Sequence, residues 1–415
     1  MDYDKLIDDN GVYLYKDDNF NTISVTLSFL ADEGNRENAI YELMCNYILE
    51  ANSVYQQSEI NKKIRELYGI NMSFSVPKVG DKRILNCEFF MVSPTVVEDD
   101  YSKQAFEYVK NMLLHPDFNR QDLLDMVKRN LISKIKNGLT DPYEKADNLF
   151  KSTVLRRPNM EYEETIDIDY IQDMFDSISL EDIKDLYEKT ISENNFINGL
   201  VVGNITDEEF NSFRKEIPFK SNVDFVEKPG EFNLRKGNIL VNDTDTTESC
   251  AYITYSVEGL TKEIYEVLYD ILNGSSNLCS NILRDKYKLV YESYADFYIL
   301  SKLIVIYAKI DKDNIDKMIK ASDELIKMIK NKKIIKPLLK RAKESIKNNI
   351  YIMSEDKDAI TNELISYIRK EYEGYNVNDF YNEVDDIKVK DVTKVTKTLK
   401  KENVFFYRGD YNEKL

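Results

Sequence analysis

His115 is the only histidine in this 415-residue chain, and that bounds the chemistry available to it. One imidazole cannot build a zinc site with two histidine ligands. A Ser-His-Asp triad would have to recruit His115, which follows "MLL" and precedes Pro116, the setting of a helix end or loop. No G-x-S-x-G, Walker or dinucleotide glycine pattern occurs among the 13 glycines. Cys45, Cys87, Cys250 and Cys279 lie far apart with no C-x-x-C pair, so they read as buried free thiols and not as a disulfide framework or a cysteine zinc site. Carboxylates are too numerous in so acidic a chain for any one pair to stand out.

The elements that must position any site recur twice. "NTISVTLSFLADEG" near the start and "ESCAYITYSVEGL" at 248–260 each alternate like a strand and end in a Gly turn. Each precedes a helix with apolar residues three and four apart, at 37–50 and at 262–273. "IRELYGI" at 64–70 is echoed by "ILRDKYKLVY" at 282–291, and each leads into a strand pair and then two long helices. Both halves close on a helix and a strand, at 198–205 and 403–411. A period of about 200 residues is too long for a solenoid and reads as a duplicated domain. The boundaries are 1–215 and 233–415, joined by a Pro- and Gly-bearing segment at 216–232 that reads as an exposed linker.

Composition narrows the partners. The net charge of −17 is uneven: residues 1–220 carry −16 and residues 221–415 carry −1. An acidic surface argues against nucleic acid and anionic membranes as partners. The basic run at 330–347 spaces its charges around apolar residues and reads as a solvated helix face. No stretch approaches the roughly 18 apolar residues of a membrane span, and "MDYDKLIDDN" is acidic where a signal peptide would be basic, so a cytoplasmic location is expected.

"NGSSNLCSNILRDKYKLVY" at 273–291 resembles the second-domain pattern of the pitrilysin or insulinase-type zinc peptidases, the inverzincins that include the mitochondrial processing peptidases. Arg284, Asp285, Lys286, Leu289 and Tyr291 fall in step with it, and "VVGNITDEE" and "LHPDF" lend less specific support. The resemblance covers nearly the whole chain. It implies an α+β fold of two tandem homologous domains, each a mainly antiparallel sheet with helices on one side, arranged as a clamshell around a cavity.

Active relatives carry an inverted H-x-x-E-H and a distant Glu, which together hold a zinc ion and its activated water. Here the matching segment is "LMCNY": Leu43 and Tyr47 stand at the histidine positions, Asn46 at that of the base, and Lys134 at the distant ligand's place. Tyr47 is expected to point toward the cavity. No metal is expected in this chain, and zinc is expected in a partner subunit.

The resemblance further implies that Met72, Ser73 and Phe74 lie on an edge strand along which substrate backbone can run. It implies that Arg284 and Tyr291 reach from the second domain toward a zinc site, donating hydrogen bonds to the peptide carbonyl and the developing oxyanion. Keeping that pair without the metal motif suggests an auxiliary subunit of a heterodimeric zinc metallopeptidase that processes or degrades peptides. Such a chain would be inactive alone and would take a homologous zinc-bearing subunit and a peptide as partners. The alternative is a catalytically inactive peptide-binding or scaffold protein acting as a homodimer or monomer.

Overall fold

The computed structural model describes residues 3–97, 101–223, 225, 227–369 and 377–411, with the side chains at 290, 291, 377 and 378 outside the description. Its strands are β1 (Leu6–Asp9), β2 (Val12–Lys16), β3 (Thr22–Ala31), β4 (Asn71–Ser75), β5 (Lys78–Val79), β6 (Lys82–Val92), β7 (Phe196–Gly203), β8 (Gly237–Asp243), β9 (Cys250–Ser256), β10 (Val290–Tyr298), β11 (Leu303–Ile310) and β12 (Lys400–Gly409). They form two sheets, in the orders β1-β2-β7-β3-β6-β4, with β5 also on β6, and β8-β12-β9-β11-β10.

Set side by side, β2-β7-β3-β6-β4 and β8-β12-β9-β11-β10 have the same order in each half of the sequence. The senses agree as well. The opening strand of each half lies parallel to the closing one, β2 on β7 and β8 on β12, and the remaining neighbours are antiparallel. Identical order and sense are what a duplicated domain requires, and the chain is an α+β protein of two such domains.

The compact units are interleaved along the sequence. One consists of Met1–Ile135, Asp167–Lys228 and Met353–Tyr375, the other of Lys136–Ile166, Pro229–Ile352 and Asn376–Leu415. In the first, Ile360 and Leu364 of helix Lys357–Ile368 pack on Tyr15, Leu200 and Val202 of the sheet. In the second, Ala146 and Phe150 of helix Pro142–Phe150 pack on Tyr252, Phe405 and Tyr407. Phe150 stacks on Tyr252 with ring centroids 4.4 Å apart. Neither packing helix lies in the sequence half that supplies its sheet, so the contiguous division at 215 and 233 describes the repeat in the sequence and not the packed units.

The joining segment is mixed: Pro218, Lys220, Ser221, Asn222, Lys228, Pro229 and Glu231 are exposed, as in a linker, while Phe219 and Phe225 are buried. Phe219 is buried edge-on against Phe29 and stacked with Phe196, at 5.0 and 5.5 Å between centroids. Phe225 is buried with Ile84 and Ile197. The prolines and glycines remove regular structure there, but the intervening aromatics still seek apolar cover.

Two faces of β3 explain what the first sheet can present. Val25, Leu27 and Phe29 are buried on one face. Ser24, Thr26 and Ser28 alternate with them and share the other face with Phe90, Glu88 and Asn86 of β6, their partners in register. At Ser28 and Asn86 this polar face is hydrogen-bonded: Arg369 donates to Ser28 Oγ at 2.5 Å and to Asn86 Oδ1 at 2.7 Å. The basic run of residues 330–347 falls in helix Lys332–Met353, which buries Ile335, Leu339, Ala342 and Ile346 and turns its exposed charges to solvent. No helix among the described residues is long and apolar enough to cross a membrane.

Candidate functional site

Helix Asn35–Tyr47, which carries the positions matched to the zinc motif, packs on helices Ile168–Asp176 and Leu180–Thr190. Leu43 is fully buried. Asn46 is exposed and donates from Nδ2 to the Glu42 carbonyl at 2.8 Å. Tyr47 is buried, donates its hydroxyl to the Asp117 carbonyl at 2.5 Å and stacks on Phe118, and burial raises its pKa to about 12. The expected cavity-facing Tyr47 is therefore corrected: its phenol closes the fold. Lys134 is exposed on helix Gln121–Gly138 and forms no ion pair with a described residue.

Leu43 offers no donor atom, Tyr47 has spent its hydroxyl and an ammonium is no ligand while protonated. These residues do not fit a zinc ion. Among the described residues, no group of three or more His, Cys, Asp or Glu is placed to hold a metal. The four cysteines are free and buried, with their thiols pushed up by burial, as inert core cysteines are. His115 is exposed after helix Tyr101–Leu114, its carbonyl accepting from Ser53 N at 2.9 Å.

Met72, Ser73 and Phe74 lie on β4, the edge of the first sheet. Pleating divides them. Ser73 pairs with Glu88 and donates to its carboxylate at 3.3 Å, while half-buried Met72 and Phe74 point to the opposite face. Ser73 lines a cleft of about 360 Å³ with Ser24, Thr26, Asn71, Glu88 and Phe90, and Asp358, Thr361 and Asn362 contribute from helix Lys357–Ile368. Lys357 sits where that helix meets Phe90. Its ammonium lies 3.7 Å from the ring centroid and donates to Thr22 Oγ1 at 2.6 Å, and burial lowers its pKa to about 8.

This cleft escaped the sequence reading. Part of its signal was present as the polar alternation of Ser24, Thr26 and Ser28 within "TISVTLSF", since polar residues spaced by two in a buried strand mark a face with something to bond. No local pattern announces that helix Lys357–Ile368 packs there.

The two edges of equivalent position differ. On β10 the Asn273 carboxamide pairs with Ala295, donating to its carbonyl and accepting from its N–H, both at 2.8 Å. On β4 the outer backbone groups of Asn71–Ser75 have no such partner among the described residues.

Arg284 lies on the helical turn Asn281–Lys286, between buried Leu283 and the exposed pair Asp285 and Lys286. The turn ends at Lys288, whose φ of 55° reverses the chain so that Leu289 N bonds the Leu283 carbonyl at 3.0 Å. Lys286 and Tyr287 are both held by Glu324, the phenol at 2.8 Å. Arg284 is exposed; its carbonyl accepts from Lys288 N at 3.0 Å, and its guanidinium makes no hydrogen bond or ion pair with a described residue. Tyr291 lies in β10, where the register with β11 is interrupted between Val290 and Ser293, and its side chain falls outside the described residues.

In this duplicated α+β fold the two positions matched to the zinc-motif histidines, Leu43 and Tyr47, are buried packing residues. Residues 177–346, less than half of the chain, match the family model described as the peptidase M16 inactive domain. The fold is similar to that of a conserved protein from Enterococcus faecalis V583, with TM-score 0.78, 15% identity and 97% of each chain covered. It is also similar to a peptidase M16 inactive domain from Pseudomonas fluorescens, with TM-score 0.74, 14% identity and 98% of each chain covered. A protease from Helicobacter pylori matches with TM-score 0.72 at 14% identity, over 96% of this chain and 97% of that one. No curated protein sequence matches the chain at a significant level. The likeness to the M16 peptidases therefore rests on a family-model match over residues 177–346 and on a shared fold over nearly the whole chain.

Proposed function

We propose that this protein is the auxiliary subunit of a cytoplasmic two-chain zinc peptidase acting on peptides, and that it supplies Arg284 and Tyr291 to the site of a homologous zinc-bearing partner. The observation that carries the reading is Arg284, an exposed guanidinium with no partner among the described residues, on a turn whose neighbouring Lys286 and Tyr287 are both engaged by Glu324. An exposed guanidinium with no carboxylate partner is free to donate to a peptide carbonyl. The packed Leu43 and Tyr47 support assigning the metal to the other subunit.

The test is reconstitution. Mixed with a zinc-bearing companion, the wild-type protein should confer peptidase activity that neither chain has alone. Arg284→Ala should lower turnover by about 10²-fold or more, the scale of one lost oxyanion donor, and Tyr291→Phe should do the same.

A second reading, a peptide-holding protein that works without a partner, is favoured by the open β4 edge and its polar cleft. An extended peptide could add to that edge through main-chain hydrogen bonds and place side chains toward Ser73 and Glu88. It predicts peptide affinity in the isolated chain that is indifferent to Arg284.

A further inference from the structure

In the second unit, a pocket of about 500 Å³ lies where the segment after helix Pro142–Phe150 meets the strand-like run before β8. That volume is within the roughly 300–1,000 Å³ of small-molecule sites. Its floor is fixed by main chain: Asn233 N bonds the Leu155 and Arg156 carbonyls at 3.2 Å, and Arg235 N bonds the Val154 carbonyl at 2.8 Å.

Its charges divide into a closed pair and an open set. Arg157 is committed to the buried Glu164, with Nε at 2.9 Å and Nη2 at 2.6 Å from the same oxygen. Arg156 spends only its Nε, on the Thr153 carbonyl at 3.2 Å, and its two terminal nitrogens bond no described residue. Glu161 and Glu231 are exposed on the pocket wall and form no ion pair with a described residue. The pocket therefore offers one free cation and two free carboxylates beside the ring of Phe232 and Pro158.

Arg156 also occupies an unfavourable backbone conformation. It sits at φ 42° and ψ 67°, the left-handed region where a side chain costs free energy and glycine does not. It is the C-cap of the helical turn Lys151–Leu155, its N–H bonding the Lys151 carbonyl. A left-handed arginine with its fork unpaired is the kind of local strain that accompanies binding sites.

We propose that this pocket binds a short peptide with both termini free: its carboxylate on the Arg156 fork, its ammonium on Glu161 or Glu231, and an apolar side chain against Phe232. A purely anionic ligand would meet two unpaired carboxylates, and a purely cationic one would leave the guanidinium unmatched. The zwitterion satisfies both, with bidentate pairing at the arginine. The site lies within the second unit and does not depend on Arg284, Tyr291 or β4.

The experiment is calorimetric titration of the full chain with the tripeptide Ala-Phe-Ala and with its C-terminal amide and N-acetyl forms. Wild type should bind the free tripeptide saturably, and each blocked form should bind at least tenfold more weakly. In Arg156→Gly the free peptide should bind as weakly as the amide, with no further loss when the amide is used. In Glu161→Gln/Glu231→Gln the N-acetyl form should likewise show no further loss. Because glycine suits the left-handed turn, Arg156→Gly should melt at or above the wild-type temperature, so its lost binding cannot be ascribed to unfolding. No saturable binding to wild type, or an amide penalty of equal size in wild type and Arg156→Gly, would overturn the proposal.

Discussion

Leu43, Asn46 and Tyr47 stand together on one helix yet have different tasks, and substitution should separate them. Leu43 is fully buried, so Leu43→Ala should lower stability by about 2–5 kcal/mol in urea denaturation. Tyr47→Phe removes one hydroxyl bond to a carbonyl and should cost about 1 kcal/mol. Asn46→Ala on the exposed face should stay within about 0.5 kcal/mol of wild type. Lys357 behaves oppositely to a stabilising charge. Its folded pKa of about 8 lies below the unfolded value near 10.4. Between those values the unfolded chain holds a proton that the folded chain has lost, so this group makes stability rise with pH from about 8 to about 10 and contributes no slope below 8. Lys357→Met should abolish that rise, as urea denaturation repeated from pH 7 to pH 10 would read. The residues at the positions matched to the zinc motif can be named from "LMCNY" because that motif is local, but which of them are buried cannot. The environment of Lys357 was not legible either, since 335 residues separate it from Thr22.

Elements repeat this division between local and distant information. Strand alternation and helical spacing are properties of ten or fifteen consecutive residues, which is why β3 and β9, the helices that follow them and the closing strands β7 and β12 could be read and paired before any fold was known. Packing partners are not local. Helices Pro142–Phe150 and Lys357–Ile368 have ordinary amphipathic sequences, and nothing in either says that its sheet is built by the other half. The joining segment follows the same division: proline and glycine mark the absence of regular structure and many of its residues are exposed, but Phe219 and Phe225 are anchored in apolar surroundings that no local pattern announces. Limited proteolysis should spare the Ile217–Asn222 stretch in wild type. Phe219→Ala should open it to cleavage while costing about 3–5 kcal/mol. The difference between the two sheet edges is also an element-scale finding. Asn273 covers β10 at Ala295 with a side chain that imitates a neighbouring strand, and β4 has no equivalent among the described residues, so of these two edges β4 is the more open to a peptide adding by strand pairing.

For the whole molecule, acidic charge is concentrated in residues 1–220, and a surface of that sign should repel polyanions and attract a basic partner or peptide. Association with a zinc-bearing companion should accordingly slow as salt is raised. The central claim is that the chain completes another subunit's site through Arg284 and Tyr291, and the most direct measurement is peptide turnover by the mixed complex. A homologous zinc-bearing chain is co-purified or co-expressed with wild type, Arg284→Ala or Tyr291→Phe, and complex formation is checked in each case by gel filtration. Assembly should be equal in all three, activity should appear only with wild type present, and turnover should fall by about 10²-fold in each variant. Equal turnover in all three complexes, or full activity of the companion alone, would contradict it.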